Sequence, residues 1–244
     1  MKLIDKVVEL MKELNTTDCT RYIQVGKVLV NEEIILLPNY KIKENDVIRI
    51  KESKKWVSRG GEKLEYAIKE FDVDFNEKIV LDIGSSTGGF TDVSLKYGAA
   101  KVYALDVGTN QLDYKLRINP KVKSMEKTNI RDIDINTFNE KIDIVVCDVS
   151  FISLKKIIDA IEVIKHPQLK LILLLKPQFE AKKYLLEKGG IVSQEHHEEI
   201  IYNIKEYLIE KKYTFLDVKE SIIKGKKSKN IEYIINLEVN NEAK

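Results

Sequence analysis

The stretch Val80–Asp92 reads V-L-D-I-G-S-S-T-G-G-F-T-D, and it decides the fold of the chain. A short apolar run, residues 79–81, ends in Asp82 and is followed by a glycine-rich turn and then by a helix start. This order is typical of the strand–loop–helix units of doubly wound sheets, in which backbone N–H groups face a bound ligand. The stretch therefore predicts an α/β sheet with a ligand site at this turn.

The spacing of the glycines narrows the class of ligand. Gly84-x-x-x-Gly88-Gly89 lacks the G-x-G-x-x-G pattern of dinucleotide sites, and Phe90 stands where a P-loop would carry its lysine. A glycine turn that holds no phosphate, preceded by the acidic Asp82, suits the zwitterionic amino-acid end of S-adenosyl-L-methionine. The alternative is a strand–helix turn that simply needs glycine.

A second acidic residue supports the cofactor interpretation. Asp106 closes the next apolar run, residues 102–105, and is placed to accept hydrogen bonds from both hydroxyls of a ribose, as in dinucleotide sites. We predict that the residues lining the methionine end of the cofactor are Asp82, Gly84, Ser85, Ser86, Thr87, Gly88, Gly89 and Phe90.

Composition excludes several classes of protein. The chain has 244 residues and a net charge of +2, so it is no global polycation, and its two cysteines indicate neither a disulfide framework nor a zinc site. No apolar stretch approaches the length of a membrane span, and the charged N-terminus differs from a signal peptide. We expect a cytoplasmic monomer without a metal. His196 and His197 could suggest a metal site, but adjacent helical residues face different ways, so we expect a solvated helix start there instead.

The first sixty residues predict a small α+β module. Residues 3–14 have a helical apolar period, and a second helix is expected from an N-cap at Thr16 or Thr17 to Gly26. β-like runs at 28–30 and 47–50 follow, with a turn at Pro38. The predicted domains are 1–50, a basic linker 51–60 and a second domain 61–244. Trp56 in the linker either packs or stacks on a base.

The second domain alternates strand and helix patterns. Apolar runs predict strands at 79–83, 101–106, 142–147 and 169–175, and helical periods fall at 88–97, 154–165 and 195–211. Two β-like stretches, 213–222 and 231–239, end the chain without a helix between them. This order predicts the Rossmann-like class I methyltransferase sheet, mostly parallel with its last strand antiparallel.

Charged residues follow two of the predicted strands. The fourth strand ends in Asp148 without the D/N-P-P-aromatic tetrad of amine-methylating enzymes, and the fifth ends in Lys176. Open α/β sheets build their sites at such strand ends. Lys63 opens a helix after two glycines and Glu232 lies in the last strand. Either residue taken alone would be ordinary surface charge.

These four residues, in the order Lys–Asp–Lys–Glu, resemble the tetrad of FtsJ-type ribose 2′-O-methyltransferases. The contexts SRGGEKL, LDIGSSTGGFTD, CDVSFIS and LLKPQFE are similar to those of the TlyA (hemolysin A) family. The resemblance covers nearly the whole chain. It implies an N-terminal S-four-type (αL) RNA-binding module, an FtsJ-like domain that methylates ribosomal RNA, and Asn129 and Ile130 flanking the adenine of the cofactor.

The chemistry of the reaction suggests a role for each tetrad residue. A ribose 2′-hydroxyl is a very weak acid, so its attack on a sulfonium methyl benefits from a base within about 3 Å. Lysine serves where its pKa is depressed, which partial burial and a second cation favour. We assign Lys176 as general base, Lys63 as the second cation, Asp148 as the group that orients the lysine near the methyl donor, and Glu232 as the group that holds both lysines.

RNA contacts are predicted from basic residues in the first module and on loops that bracket the tetrad. These residues are Arg21, Lys27, Lys54, Lys55, Arg59, Lys224, Lys226, Lys227 and Lys229. Phosphate neutralisation by such cations predicts binding that weakens steeply with salt. Solvated turns are the alternative for either loop. The alternative functions are a non-catalytic RNA- or ribosome-binding protein with an inactive methyltransferase domain, and a hemolysin.

Overall fold

A computed structural model of the chain describes residues 1–12, 14–51, 55–223 and 230–240. The chain divides into two compact units, Met1–Lys55 and Trp56–Lys244. The predicted residues Lys54, Lys224, Lys226, Lys227 and Lys229 lie outside the described residues. Within the described ranges, no helix combines the length and the apolar content needed to cross a membrane.

The first unit packs two helices on a small antiparallel sheet. Its elements are α1 Leu3–Leu10, α2 Thr16–Gln24, β1 Val28–Val30, β2 Glu33–Ile34 and β3 Ile48–Ile50. The strand order is β2-β1-β3. The predicted N-cap at Thr16 or Thr17 is wrong, because the side chain of Asn15 accepts the hydrogen bond from Asp18 N at 2.9 Å. Asn is as good a cap as Thr, and capping satisfies an otherwise orphan N–H.

The second unit alternates strands with helices along its whole length. Its helices are α3 Gly60–Phe71, α4 Gly89–Lys96, α5 Tyr114–Arg117, α6 Leu154–Ile161, α7 Pro177–Glu180 and α8 His197–Glu210. Its strands are β4 Ile79–Ile83, β5 Lys101–Leu105, β6 Val122–Met125, β7 Ile144–Cys147, β8 Lys170–Leu175, β9 Leu186–Glu187, β10 Ile191–Val192, β11 Tyr213–Glu220 and β12 Tyr233–Val239.

Seven of these strands form one sheet, in the order β11-β12-β8-β7-β4-β5-β6. The pairs from β8 to β6 are parallel, and β12 is antiparallel to both β8 and β11. The predicted Rossmann-like sheet with an antiparallel last strand is confirmed. The chain order reverses between β4 and β7, and ligands of open α/β sheets bind outside the carboxyl ends of the strands at such a point.

Both faces of this sheet are covered, so its central strands are apolar without interruption. Alternate side chains point to opposite faces, and Leu81 and Val145 therefore pack in one core cluster while Val80 and Val146 pack in another. The same alternation sends Asp82 to the face of Val80, where α4 covers it. A polar side chain is thereby buried at the end of the central strand.

Candidate active site

Four charged side chains from distant parts of the chain meet at the carboxyl edge of the sheet. Lys63 lies in the first turns of α3, Asp148 follows β7, Lys176 follows β8, and Glu232 precedes β12. The two strand-end residues are neighbours because β7 and β8 are parallel, and Glu232 lies at the same edge of the sheet because β12 runs antiparallel to β8. The structure therefore brings the predicted tetrad together.

Asp148 is the centre of this cluster. Its Oδ1 lies 2.6 Å from Lys176 Nζ and its Oδ2 lies 3.2 Å from Lys63 Nζ. Glu232 Oε2 lies 2.6 Å from Lys63 Nζ. The expectation that Glu232 holds both lysines differs from this geometry, since Asp148 is the residue whose carboxylate bridges them and Glu232 is paired with Lys63.

Three residues of the cluster are buried, the side chain of Asp148 is 21% exposed, and the four charges compensate one another. The exposed fraction is 8% for Lys63, 7% for Lys176 and 5% for Glu232. Burial by itself would lower the pKa of Lys63, but the carboxylates of Asp148 and Glu232 outweigh it and raise that pKa above its ordinary value. Burial would raise the pKa of Asp148, but the ammonium groups of Lys176 and Lys63 hold it below its ordinary value. Lys63 and Asp148 are therefore charged at neutral pH.

Lys176 has two further contacts that sequence analysis missed. Its Nζ donates to the carbonyl oxygen of Val149 at 2.8 Å and lies 3.2 Å from Ser150 Oγ. Both partners come from the loop directly after Asp148. The sequence does not show which backbone carbonyl will accept a hydrogen bond, and serines are common after strands. The only feature of the sequence that could have indicated these two contacts is that Val149 and Ser150 directly follow Asp148.

Two aromatic side chains lie on the loops that carry Asp148 and Lys176. The rings of Phe151 and Phe179 have centroids 5.2 Å apart, and the side chain of Phe151 is 90% exposed. Phe151 also has φ +66°, a backbone region that non-glycine residues rarely adopt. An accessible ring is therefore held beside the charged cluster.

The glycine turn packs tightly against its surroundings. Gly84 has φ +78°, and a Cβ at this residue would lie 2.9 Å from Val149 Cγ1. Gly88 has φ +94°, and its Cβ would lie 2.3 Å from Leu116 Cδ1. Both glycines are required by backbone conformation and by space, which is the alternative explanation that the sequence left open. Their presence alone does not identify a ligand.

Asp82, unlike the glycines, has a feature that points to a ligand. Its Oδ2 accepts a hydrogen bond from Thr91 Oγ1 at 2.6 Å. Its Oδ1 is buried without a hydrogen-bond partner among the residues that the structure describes. Burial raises the pKa of Asp82 to about 7, because it outweighs the opposite effect of the hydroxyl and backbone N–H of Thr91, and Asp148 and Asp106 add smaller upward contributions. A buried carboxylate oxygen that lacks a donor fits a ligand with an ammonium group or an N–H, and the amino-acid end of S-adenosyl-L-methionine carries such a group.

The other predicted cofactor residues lie around the turn in different environments. Asp106 is oriented by two backbone donors, Ser86 N at 2.8 Å and Gly108 N at 2.7 Å. The ring of Phe90 packs in the core, so only its backbone can face a ligand. The remaining residues of the turn are Ser85, which is buried, Ser86 and Thr87, which are exposed, and Gly89, which is buried.

The residues predicted at the adenine have their side chains engaged in the protein. Asn129 Oδ1 accepts from Arg131 N at 3.1 Å and caps the short 3₁₀ helix Ile130–Asp132. The side chain of Ile130 packs in the main core cluster. Their place beside an adenine stays a prediction.

The described residues of the predicted RNA surface are solvent-accessible. In the first unit, Arg21 lies 3.6 Å from Asp18, and the ammonium of Lys27 lies 4.8 Å from the centroid of the Tyr22 ring. Lys55 and Arg59 are exposed. Each therefore keeps a cation near the surface, and their contact with RNA stays a prediction.

The structure settles the environment of two further side chains, His197 and Trp56. His197 was expected at a solvated helix start, and this is wrong for its side chain, which is buried with Nδ1 2.9 Å from Tyr233 Oη and Nε2 3.2 Å from the Val192 carbonyl oxygen. Both ring nitrogens thus have partners within the protein. Trp56 is buried within the second unit and donates from Nε1 to Glu65 Oε2 at 3.1 Å, which agrees with packing.

Comparison with known families covers both units. The family described as FtsJ-like methyltransferase matches residues 56–238, and the S4 domain matches residues 3–48. The chain is 45% identical over 214 residues to Hemolysin A of Brachyspira hyodysenteriae, which covers 87% of this chain and 89% of that protein. It is 36% identical over 205 residues to the 23S rRNA (cytidine-2′-O)-methyltransferase TlyA of Campylobacter jejuni, with 83% and 76% covered.

A solved structure is similar over the whole chain. It belongs to a protein of Streptococcus thermophilus that carries a provisional hemolysin name. The TM-score is 0.75 at 35% sequence identity, with 99% of this chain and 89% of that chain covered.

Proposed function

The chain belongs to the FtsJ-like methyltransferase family, and we infer that it transfers a methyl group from S-adenosyl-L-methionine to ribose 2′-hydroxyls of ribosomal RNA. The observation that carries this proposal is the Lys63–Asp148–Lys176–Glu232 cluster beside the glycine turn. The name of the Campylobacter relative suggests cytidine as the modified nucleotide.

The residues around Asp82 and Asp106 fit the cofactor. The unpartnered Oδ1 of Asp82 would accept from the ammonium group of the methionine end, and Asp106 would hold the ribose hydroxyls. When bound, S-adenosyl-L-methionine supplies a methyl group on a sulfonium that is open to nucleophilic attack. The protein then has to position a hydroxyl and remove its proton.

We assign the proton transfer to Lys176. Lys63 contacts two carboxylates, whereas Lys176 contacts only Asp148 among charged groups in the described part of the chain. A lysine held by two carboxylates gives up its proton less readily, so Lys176 is the better base and Lys63 the permanent cation. Lys63 would stabilise negative charge that develops on the ribose oxygen.

RNA as the partner is supported by three features. The N-terminal unit matches the S4 domain, exposed cations lie on both units, and the exposed Phe151 ring offers a surface for base stacking beside the cluster. We propose that the substrate is ribosomal RNA, free or within a ribosomal subunit. This substrate implies a cytoplasmic enzyme, and we propose that it acts as a monomer.

The test is transfer of labelled methyl from S-adenosyl-L-methionine to unmodified ribosomal subunits. The wild type is expected to label rRNA ribose, and Lys176→Ala is expected to lower the rate by about 10²–10⁴-fold because the base is lost. Lys170→Ala is the matched control, since Lys170 is exposed at the opposite end of the same strand. Cofactor binding without incorporation on either subunit would favour a non-catalytic RNA-binding protein.

A further inference from the structure

Ser150 lies on the loop after β7, two residues beyond Asp148, and its side chain is exposed. Its Oγ is 3.2 Å from Lys176 Nζ. The other described acceptors of Lys176 are Asp148 Oδ1 at 2.6 Å and the Val149 carbonyl oxygen at 2.8 Å. The Lys176 nitrogen thus has two short contacts and a third, longer contact to an exposed hydroxyl.

The number of positions around the lysine nitrogen limits how a substrate can approach. A protonated lysine has three N–H donors, and the three acceptors match them one to one. A neutral amine has two N–H donors and one lone pair, so one of the three positions then receives a hydroxyl proton. A ribose hydroxyl can reach Nζ only by replacing one of the present partners.

Ser150 is the partner that can leave. Asp148 is fixed by its second ion pair with Lys63, and the Val149 carbonyl belongs to the backbone at the strand end. The Ser150 contact is the longest of the three, and its hydroxyl rotates about a single bond at the surface. A serine hydroxyl, like a ribose hydroxyl, both donates and accepts.

We propose that the Ser150 hydroxyl occupies, in the RNA-free enzyme, the position beside Lys176 that the ribose 2′-hydroxyl takes during the reaction. This rests on the proposed function of Lys176 as base. When RNA binds, Ser150 turns away and the lone pair of Lys176 faces the 2′-hydroxyl. The O–H bond then breaks with its proton moving to Nζ, while the oxygen–methyl bond forms and the methyl–sulfur bond breaks with its electron pair left on sulfur.

Ser150 is therefore a positioning residue of the free enzyme that leaves the base in the complex. As an acceptor it favours the charged lysine, because hydrogen bonds to ionised groups are the stronger ones. Among the described residues, the charged and titratable groups that face Lys176 from the packed elements are Asp148 and, beyond it, Lys63, Glu232 and the thiol of Cys147. All of them are retained in Ser150 variants.

The experiment compares pH profiles of kcat/KM for RNA and of kcat at saturating cofactor. The first profile reports the enzyme without RNA and the second reports the complex. In Ser150→Ala, we expect the acid-side midpoint of kcat/KM to move down by about 0.5 pH unit, because the charged lysine loses an acceptor. We expect the acid-side midpoint of kcat to stay where it is in the wild type.

Two variants control for other effects. Ser150→Thr keeps a hydroxyl and is expected to restore both wild-type midpoints. Ser153→Ala removes a hydroxyl of the same loop that binds Glu180 at 2.6 Å, and its midpoints are expected to match the wild type. Competitive acetylation of lysines, read by mass spectrometry, follows Lys176 in the RNA-free enzyme without turnover, and it should show faster labelling in Ser150→Ala.

The outcomes separate this proposal from the function on which it rests. Midpoints that move together in kcat and kcat/KM would show that Ser150 stays on the lysine in the complex, and the proposal would be overturned. Unchanged midpoints and unchanged labelling would overturn it as well. Full activity of Lys176→Ala would instead remove the assignment of the base and the Ser150 proposal with it, while methyl transfer to RNA would stand.

Discussion

Asp148 and Asp82 lie near each other at the same edge of the sheet, but the pKa values of their carboxyl groups shift in opposite directions. Both are aspartates near the carboxyl ends of neighbouring parallel strands, but Asp82 is fully buried whereas the side chain of Asp148 is 21% exposed. Two lysines lower the pKa of Asp148, whereas burial raises the pKa of Asp82 to about 7. The difference shows that a carboxylate removed from water keeps its charge where lysines are built into the fold beside it. For Asp82, whose Oδ1 has no hydrogen-bond partner among the described residues, we propose that the cofactor supplies one.

Removing the compensated carboxylate should have the largest effect. Asp148→Ala leaves two buried ammonium groups without their shared partner, and we expect a loss of about 3–5 kcal/mol in the free energy of unfolding. Urea denaturation measures this loss of stability. The rate of methyl transfer should also fall in this variant.

Asp143→Ala is the matched control for that prediction. Asp143 precedes β7 at its other end and accepts a hydrogen bond from Ile79 N at 2.8 Å, a neutral donor. Its removal should cost about 1 kcal/mol. Equal losses in the two variants would mean that the ion pairs of Asp148 add nothing beyond an ordinary hydrogen bond.

Asp82 offers the next largest effect, through pH. Its pKa is raised in the folded protein, so its contribution to stability is complete below the unfolded value near 4 and is lost as pH rises through about 7. Relative to Asp82→Asn, the wild type should lose about 2–3 kcal/mol between pH 5 and pH 8. Urea denaturation of both proteins at the two pH values isolates this term, since all other titrating groups are shared.

The same variant also tests the cofactor site. If the unpartnered oxygen of Asp82 accepts from the ammonium group of S-adenosyl-L-methionine, Asp82→Asn should weaken cofactor binding by about tenfold or more, as measured by calorimetry. Two results together would contradict the contrast between Asp82 and Asp148. They are the same pH dependence of stability in the wild type and Asp82→Asn, and equal affinities of the two proteins for S-adenosyl-L-methionine.

Thr91→Val should have the smallest effect of the series. It removes the hydroxyl that donates to Asp82 at 2.6 Å, and we expect a loss of about 1 kcal/mol that is greater at pH 8 than at pH 5, because the charged carboxylate needs the donor more. Thermal unfolding at both pH values measures this loss of stability.

Ser94→Ala is the control for this prediction. It removes a buried hydroxyl on the same helix that donates to the Phe90 carbonyl oxygen, and its loss of stability should be the same at both pH values. A pH-independent loss in Thr91→Val would contradict the assignment.

The main strands of the second unit could be predicted from the sequence because each is a short apolar run with a clear end. The strand predicted at 101–106 is observed as Lys101–Leu105, and the one at 169–175 as Lys170–Leu175. Short elements with few apolar residues were missed, such as β2 Glu33–Ile34, whose two side chains are exposed. An element could be predicted only where it contains enough apolar residues to form a recognisable pattern.

The sequence by itself determined the fold class, the glycine turn and the identities of the four charged residues, because apolar periodicity and motif spacing are local properties. Only the tertiary structure decided that Asp148, and not Glu232, bridges the lysines, and that Val149 and Ser150 complete the contacts of Lys176. It alone separated Asp82 from Asp148. Partner distances and burial depend on which strands become neighbours, and that is a property of the folded chain.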